Sequence, residues 1–350
     1  MRRLLTCLLC LALPALGHEA QWTLDPHHLP LGDGRVSAAP RGGYVYACPG
    51  PMRNQGAEHA GDWMRGDSWD ATRKLQVRGA VNWPQASFAS ALEDWQRRLT
   101  GNALPVGGVT GEFPIARDDP AYRIDRNPNA IAAQSIDWRL PRDPRPAAQP
   151  ACVPMGPVGI MLNGVLLFNA LDAAHRDAVA HEVQDRCNGH PERSGSYHYH
   201  GPSPCVPGMD QPNRLVGYAR DGFGIFSPLD ENGRELRDAD LDACHGRVSR
   251  IRWDGKDVEM YHYVMTREYP YSIGCFRGEP AALPRPAVGT DNARPVPEGG
   301  RAPRQPPREA VNACQGLQPE QACRIATPRG ETLDGQCRQL GARLACVPRR

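Results

Sequence analysis

Cysteine content constrains this chain more than any other feature. It holds twelve cysteines in 350 residues. Two of them, Cys7 and Cys10, sit in a leader that opens with Arg2 and Arg3 and runs apolar from Leu4 to Leu13. Ala15-Leu16-Gly17 then supplies the small-x-small pattern of a cleavage site, and the apolar run is too short to span a bilayer. Residues 1–17 therefore read as a signal peptide, and the mature protein as secreted or periplasmic. An even number of cysteines in an oxidising compartment reads first as disulfides. A thiolate metal site is the weaker reading, because no C-x-x-C pair remains beyond the leader. Cys48, Cys152, Cys187, Cys205, Cys244 and Cys275 lie in the main body, and Cys314, Cys323, Cys337 and Cys346 at the end. Short loops around histidine-bearing strands favour Cys187–Cys205 and Cys244–Cys275, which leaves Cys48–Cys152. The last four cysteines can pair in any combination.

Charge narrows the function classes. Lys and Arg number 41 against 39 Asp and Glu, a balance that gives no basic surplus for neutralising phosphates and so no nucleic-acid partner. No apolar run of about 18 residues follows the leader, so the mature chain has no transmembrane segment of the helical kind. The absence of Gly-x-Ser-x-Gly and His-Glu-x-x-His removes the commonest serine-hydrolase and metalloprotease patterns.

The fold class expected is mainly β: an irregular, sandwich-like core with few short helices, stapled by disulfides. Residues 18–40 read as a loosely held polar arm. His18, exposed by cleavage after Gly17, would offer copper an amine and an imidazole, though one residue in an arm carries little weight. Tyr44-Val45-Tyr46 and Leu75-Gln76-Val77-Arg78 alternate as strands do. Phe88, Leu92, Trp95 and Leu99 recur at helical steps, which predicts a short helix over 86–99. The turn formers of 101–157 predict loops and short strands. Asn163-Gly164 between two apolar runs is a hairpin signal, since both residues tolerate positive φ. A short helix is expected over 173–186, and strands at 196–200, 215–219, 223–227, 247–253 and 258–265. Five parts follow: the leader 1–17, a β-rich segment 18–99 packing on the core, a main domain 100–278, a proline-rich linker 279–309, and a four-cysteine module 310–350 too poor in large apolar residues to fold unstapled.

Three of the eleven histidines fall within 187–200. Residues i and i+2 of a strand share a face, so in Tyr197-His198-Tyr199-His200 the two imidazoles project together and the two phenols pack opposite. His-x-His on a strand can converge on one divalent ion. Met260-Tyr261-His262-Tyr263-Val264 echoes this segment. In-register pairing of the two would bring His262 to the histidine face, and a three-imidazole set leaves a coordination position open, as catalytic zinc sites do. His190 and His245 are further candidate ligands. His181, Glu182 and Asp185 lie upstream as acceptors for imidazole N–H groups, and Tyr197 and Tyr199 as neighbours that supply protons. The competing reading is a half-buried strand whose imidazoles bond to backbone. Asp172, Asp177, Glu182 and Asp185 lack the spacing of a calcium loop and read as a solvated face. Asp221-Gly222 and Asp254-Gly255 read first as turns.

The surroundings carry a resemblance. Asp185-x-Cys187-x-Gly189-His190-Pro191, Tyr197-His198-Tyr199-His200, Leu215-x-Gly217-Tyr218-Ala219-x-Asp221-Gly222-Phe223-Gly224-Ile225, Tyr261-His262-Tyr263 and Tyr269-Pro270-Tyr271-x-Ile273-Gly274-Cys275 together resemble the YHYH-domain family. Thr110-Gly111-x-Phe113-Pro114 and Asp125-Arg126-Asn127-Pro128-Asn129 add to it, so the resemblance covers most of 100–278. It implies an exported protein of a family whose function is largely unassigned. Thr327 to Thr332 and Gly335-Gln336-Cys337 resemble a small four-cysteine element appended to other bacterial exported proteins, read as a spacer or envelope-contact module.

Two functions follow as expectations. One is an exported metal-binding protein with a divalent transition metal, zinc or copper, acting as a hydrolase or oxidase on an unknown small molecule or glycan. The other is a disulfide-stabilised extracellular binding module for glycan or protein, presenting aromatic residues.

Overall fold

The computed structural model describes residues 20–50, 56–283, 308–326, 332–340 and 343–348. Residues 1–19 with Cys7, Cys10 and His18, most of residues 279–309 and the Thr327–Glu331 stretch lie outside them. The chain divides into two compact units, Met1–Ala287 and Val288–Arg350. Among the described residues, no helix is long and apolar enough to cross a membrane.

The fold is mainly β. The strands of three or more residues in the first unit are β1 (Phe88–Glu93), β2 (Gln96–Gly101), β3 (Ile136–Pro141), β4 (Pro157–Met161), β5 (Leu166–Phe168), β6 (Gly189–Pro191), β7 (Tyr197–Tyr199), β8 (Leu215–Ala219), β9 (Gly224–Phe226), β10 (Gly246–Trp253) and β11 (Lys256–Val264). Eight of them form one sheet in the order β6-β7-β5-β4-β8-β9-β11-β10, and a three-stranded sheet has the order β3-β2-β1. Asn163 and Gly164 lie in the β4–β5 turn, as expected, with Gly164 at φ 84° and Asn163 at negative φ.

Alternation sorts the large sheet into two faces. Tyr197, Tyr199, Leu167, Ile225, Tyr261 and Tyr263 enter one core. Ile160, Leu166, Tyr218, Phe226, Ile251 and Trp253 enter the other, where they meet Leu99, Trp138 and Leu140 of the three-stranded sheet. This is sheet-on-sheet packing over a shared apolar layer. Each fully buried residue of that layer contributes about 1.5–3 kcal/mol, so Leu99→Asp would open it.

Four expectations change. Leu75–Arg78 forms no strand, only a single bridge from Val77 to Asp185. The stretch 86–99 is not a helix but the β1–β2 hairpin, turning at Asp94 (φ 51°) and Trp95. Only one helical turn, α1 (Ala178–His181), forms within 173–186, capped at its start by the Asp177 carboxylate. The arm is held rather than loose. Glu235 accepts from the Thr23 and Leu24 amides at 2.6 and 2.8 Å, Asp177 accepts from the Gly32 amide at 2.9 Å, and Leu24 and Leu29 are buried.

Disulfides Cys48–Cys152, Cys187–Cys205 and Cys244–Cys275 staple the first unit. The second unit has helix α2 (Arg308–Asn312) and strands β12 (Ala322–Ala326), β13 (Thr332–Leu340) and β14 (Arg343–Pro348) in one antiparallel sheet. Its core is the four cysteines themselves, paired Cys314–Cys337 and Cys323–Cys346.

Candidate metal centre

Antiparallel pairing of β6 with β7 sets His190 directly across from His198. His200, one residue past β7, projects to the same face as His198, as the period of two requires. All three are buried, at 3%, 2% and 4% exposure, and their donor atoms lie within 4.8 Å of one another. Phe168 of β5 stacks on the His198 ring at 3.9 Å between centroids.

Hydrogen bonds fix two of the rings. His198 Nδ1 lies 3.0 Å from the Ser196 carbonyl, and His200 Nδ1 lies 2.5 Å from the Asn169 carbonyl. A carbonyl only accepts, so each Nδ1 carries the proton and each Nε2 a lone pair. Those two Nε2 atoms face each other at 3.0 Å. In the neutral rings no proton lies between them, and two converging lone pairs repel unless a cation or proton bridges them. Among the described residues, His190 has no hydrogen-bond partner on either ring nitrogen. Glu182, just past α1, brings its Oε2 to 3.4 Å from His190 Nε2 and 3.5 Å from His200 Nε2.

Burial governs the electrostatics. It holds His198 down to about 4, His200 to about 3, and His190 well below the usual histidine range. All three are neutral at pH 7, the form that binds metal. Burial and the nearby Asp125 and Asp172 carboxylates push Glu182 well above the usual range. Lys74, half-buried and donating to the Val179 carbonyl and the Gln184 side chain, opposes that rise in its charged form.

The other predicted residues go elsewhere. β7 pairs with β5 and β6, and β11 with β9 and β10, so four strands separate them. His262 therefore does not join the triad; it packs on Phe226 with Nδ1 on the Met260 carbonyl at 3.1 Å. His245 bonds the Thr266 hydroxyl at 2.9 Å and faces Asp238 at 3.3 Å. His181 bonds Asp33. Asp185 is not an imidazole acceptor: it takes the Tyr197 hydroxyl at 2.8 Å and the Gly111 and Cys187 amides. Tyr197 and Tyr199 pack on the opposite face, the latter's hydroxyl 3.0 Å from the Asn163 amide nitrogen, so neither reaches the histidines. Asp172, Asp177 and Asp185 are buried and hydrogen-bonded rather than solvated.

Phe168, Asn169 and Lys74 escaped the sequence reading. A Phe and a backbone carbonyl carry no motif, and only tertiary packing brings Lys74 near Glu182. Cys314, Cys323 and Cys346 also cluster, but their sulfurs are spent in disulfides and offer no thiolate.

The family model described as YHYH protein matches residues 137–235, so the chain carries a YHYH domain, as the sequence motifs imply. No curated protein and no solved structure matches the chain.

Proposed function

We propose that this chain is an exported metalloprotein whose His190, His198 and His200, with Glu182 beside them, hold one divalent transition-metal ion, zinc or copper. One observation carries the reading: the 3.0 Å approach of two imidazole nitrogens whose tautomers leave a lone pair on each. A buried hydrogen-bonding strand would not leave these atoms, both nitrogens of His190 and Glu182 Oε2 without partners. Three imidazoles and a carboxylate are a donor set that fits zinc and copper alike. Five disulfides and the leader support export.

A metal ion there supplies Lewis acidity and, with an open position, an activated water. The chain's own part is to hold neutral imidazoles in fixed orientation and to exclude solvent from the ring faces through Phe168. Glu182 offers either a fourth ligand or an acceptor for a proton at its Oε2. Hydrolysis or oxidation of a small molecule or glycan is the activity to screen once the ion is known.

The test is bound metal in protein exported to a periplasm and purified without chelators, beside a His198→Ala/His200→Ala variant. About one equivalent of a single metal in the wild type, absent from a folded variant, is the expected result. A wild type that is metal-free and takes up neither zinc nor copper overturns the reading.

A further inference from the structure

The eight-stranded sheet is built on a symmetry that separates scaffold from site. Its central pair, β4 and β8, is antiparallel about Ile160 and Tyr218, and Gly159 and Gly217 repeat one another there. A Cβ on Gly159 would lie 2.9 Å from the Tyr218 carbonyl oxygen, and one on Gly217 would lie 2.8 Å from that of Ile160. Outward from this centre, β5 lies parallel to β7 on one side, and β9 parallel to β11 on the other. Antiparallel β6 and β10 close the two ends.

The side chains repeat with the strands. Asn163-Gly164, Phe168, Leu171-Asp172 and Arg176-Asp177 recur 58 positions later as Asp221-Gly222, Phe226, Leu229-Asp230 and Arg234-Glu235. Asp172 accepts from the amides of Ala174 and Arg176 and pairs with the Arg176 guanidinium. Asp230 does the same with Asn232 and Arg234. Asp185 takes the amides of Cys187 and Gly189 and the hydroxyl of Tyr197. Asp242 takes those of Cys244 and Gly246 and the hydroxyl of Tyr261. Asn163 bonds the Tyr199 hydroxyl, and Asp221 that of Tyr263. Cys187 and Cys244, each two residues after its aspartate, are both tied in disulfides, to Cys205 and Cys275.

His198 and His262 are also counterparts. Each bonds the carbonyl two residues before it through Nδ1, at 3.0 and 3.1 Å, and each packs on the Phe of the neighbouring parallel strand. The counterparts of His190 and His200 are different. Across from His262 stands Arg247, and two residues after it stands Val264. The second half also lacks α1 and has a 3-10 turn, Asp238–Asp240, in its place.

We infer that residues 157–278 are two copies of one unit, in which the Tyr-His-Tyr triplet is scaffold and His190 and His200 are what turn the first copy into a binding site. The metal half of this rests on the function proposed above; the scaffold half does not. One fold built twice, once with these two histidines and once without, shows that the unit does not need them in order to fold. A role in binding is what remains for them.

The test uses His200→Val, which places the second copy's residue in the first, together with His198→Gln and His262→Gln. All are compared in chelator-treated protein by near-ultraviolet circular dichroism and Tm, then titrated with zinc. Metal-free His200→Val should keep the native spectrum and a Tm within a few degrees of wild type, yet bind zinc at least 100-fold more weakly. His198→Gln and His262→Gln should lower the metal-free Tm by similar amounts, with only the former impairing zinc binding. Unfolding of metal-free His200→Val overturns the inference, as does loss of zinc binding on His262→Gln. So does a His198→Gln that leaves Tm unchanged while His262→Gln lowers it. If the wild type takes up neither zinc nor, in a parallel titration, copper, the proposed function falls, and the metal-free Tm comparison still decides the scaffold half.

Discussion

Glu182 Oε2 and His190 Nε2 lie 3.4 Å apart in the protein interior, and neither atom has a hydrogen-bond partner among the described residues. A carboxyl group so placed costs stability until something cationic satisfies it, because burial penalises its ionised form and the fold must hold a proton that the unfolded chain releases. Glu182→Gln should therefore act in opposite directions on the two forms. Metal-free protein should gain about 1 kcal/mol, because an uncompensated buried acid has gone. Metal affinity should fall about 10- to 100-fold, as it does when a partner of a metal site is lost. Denaturant unfolding with chelator and a zinc titration measure the two effects; a variant that loses stability in chelator and keeps full affinity removes Glu182 from the site.

The histidine pair was legible in the sequence because a strand fixes the relation of i and i+2 whatever the tertiary fold. The hairpin at Asn163-Gly164 was legible for a similar reason, since positive φ is a local demand. Strand neighbours are not local. The chain runs β7, β8, β9, β10, β11 in sequence but places β5 and β4 between β7 and β8 in the sheet. Nothing in the Tyr-His-Tyr echo reveals that the two triplets are counterparts rather than partners. The residues outside the triplets hold that signal, in the recurrence of Gly, Phe, Leu-Asp and Asp-x-Cys-x-Gly before each one, the pattern on which the inferred duplication rests. The helix expected over 86–99 failed on burial. Leu92 and Trp95 are exposed at 44% and 71%, so three- and four-residue spacing did not describe a buried face there.

All three candidate ligands lie between Cys187 and Cys205, whereas the loop closed by Cys244–Cys275 contains His262. Removing either bridge should cost about 2–5 kcal/mol. Only Cys187→Ser/Cys205→Ser should also weaken zinc binding, by tenfold or more, since it frees β6 and β7 to separate. Zinc titration of the two double variants under folding conditions separates the effects. Equal losses of affinity would mean that the bridges act on the site through global stability alone.

Burial holds His262 at about 4, below its ordinary value of 6.5. Between those values the unfolded chain binds a proton that the folded protein does not, so stability falls as pH drops from 6.5 through 4. The stabilisation is complete above pH 6.5. His262→Gln removes this proton, so the stability of wild type relative to the variant should decline by about 1–3 kcal/mol across that window. Buried carboxylates elsewhere titrate in both proteins and cancel in the difference. Urea unfolding of both at pH 7 and pH 4.5 measures it, and a difference independent of pH would mean that His262 is protonated in the fold.

Gly189 and Gly246 let the backbone of β6 and β10 pass close to a phenol. A Cβ on Gly189 would lie 2.3 Å from the Tyr197 hydroxyl oxygen, and one on Gly246 would lie 2.2 Å from that of Tyr261. Neither ring can yield easily, because each hydroxyl is anchored on the aspartate of its own half, Asp185 or Asp242. Gly189→Ala and Gly246→Ala should each cost about 1–3 kcal/mol through overpacking. Their effects on the candidate site should differ. Gly189 adjoins His190, so relief of the clash shifts β6 against β7 and should weaken zinc binding by tenfold or more. Gly246 adjoins Arg247 in the copy without the triad, so its variant should lose stability and bind zinc as the wild type does. Thermal unfolding and zinc titration of the two variants decide this. Equal zinc affinity in both would show that the spacing of β6 and β7 does not set the geometry of the histidines.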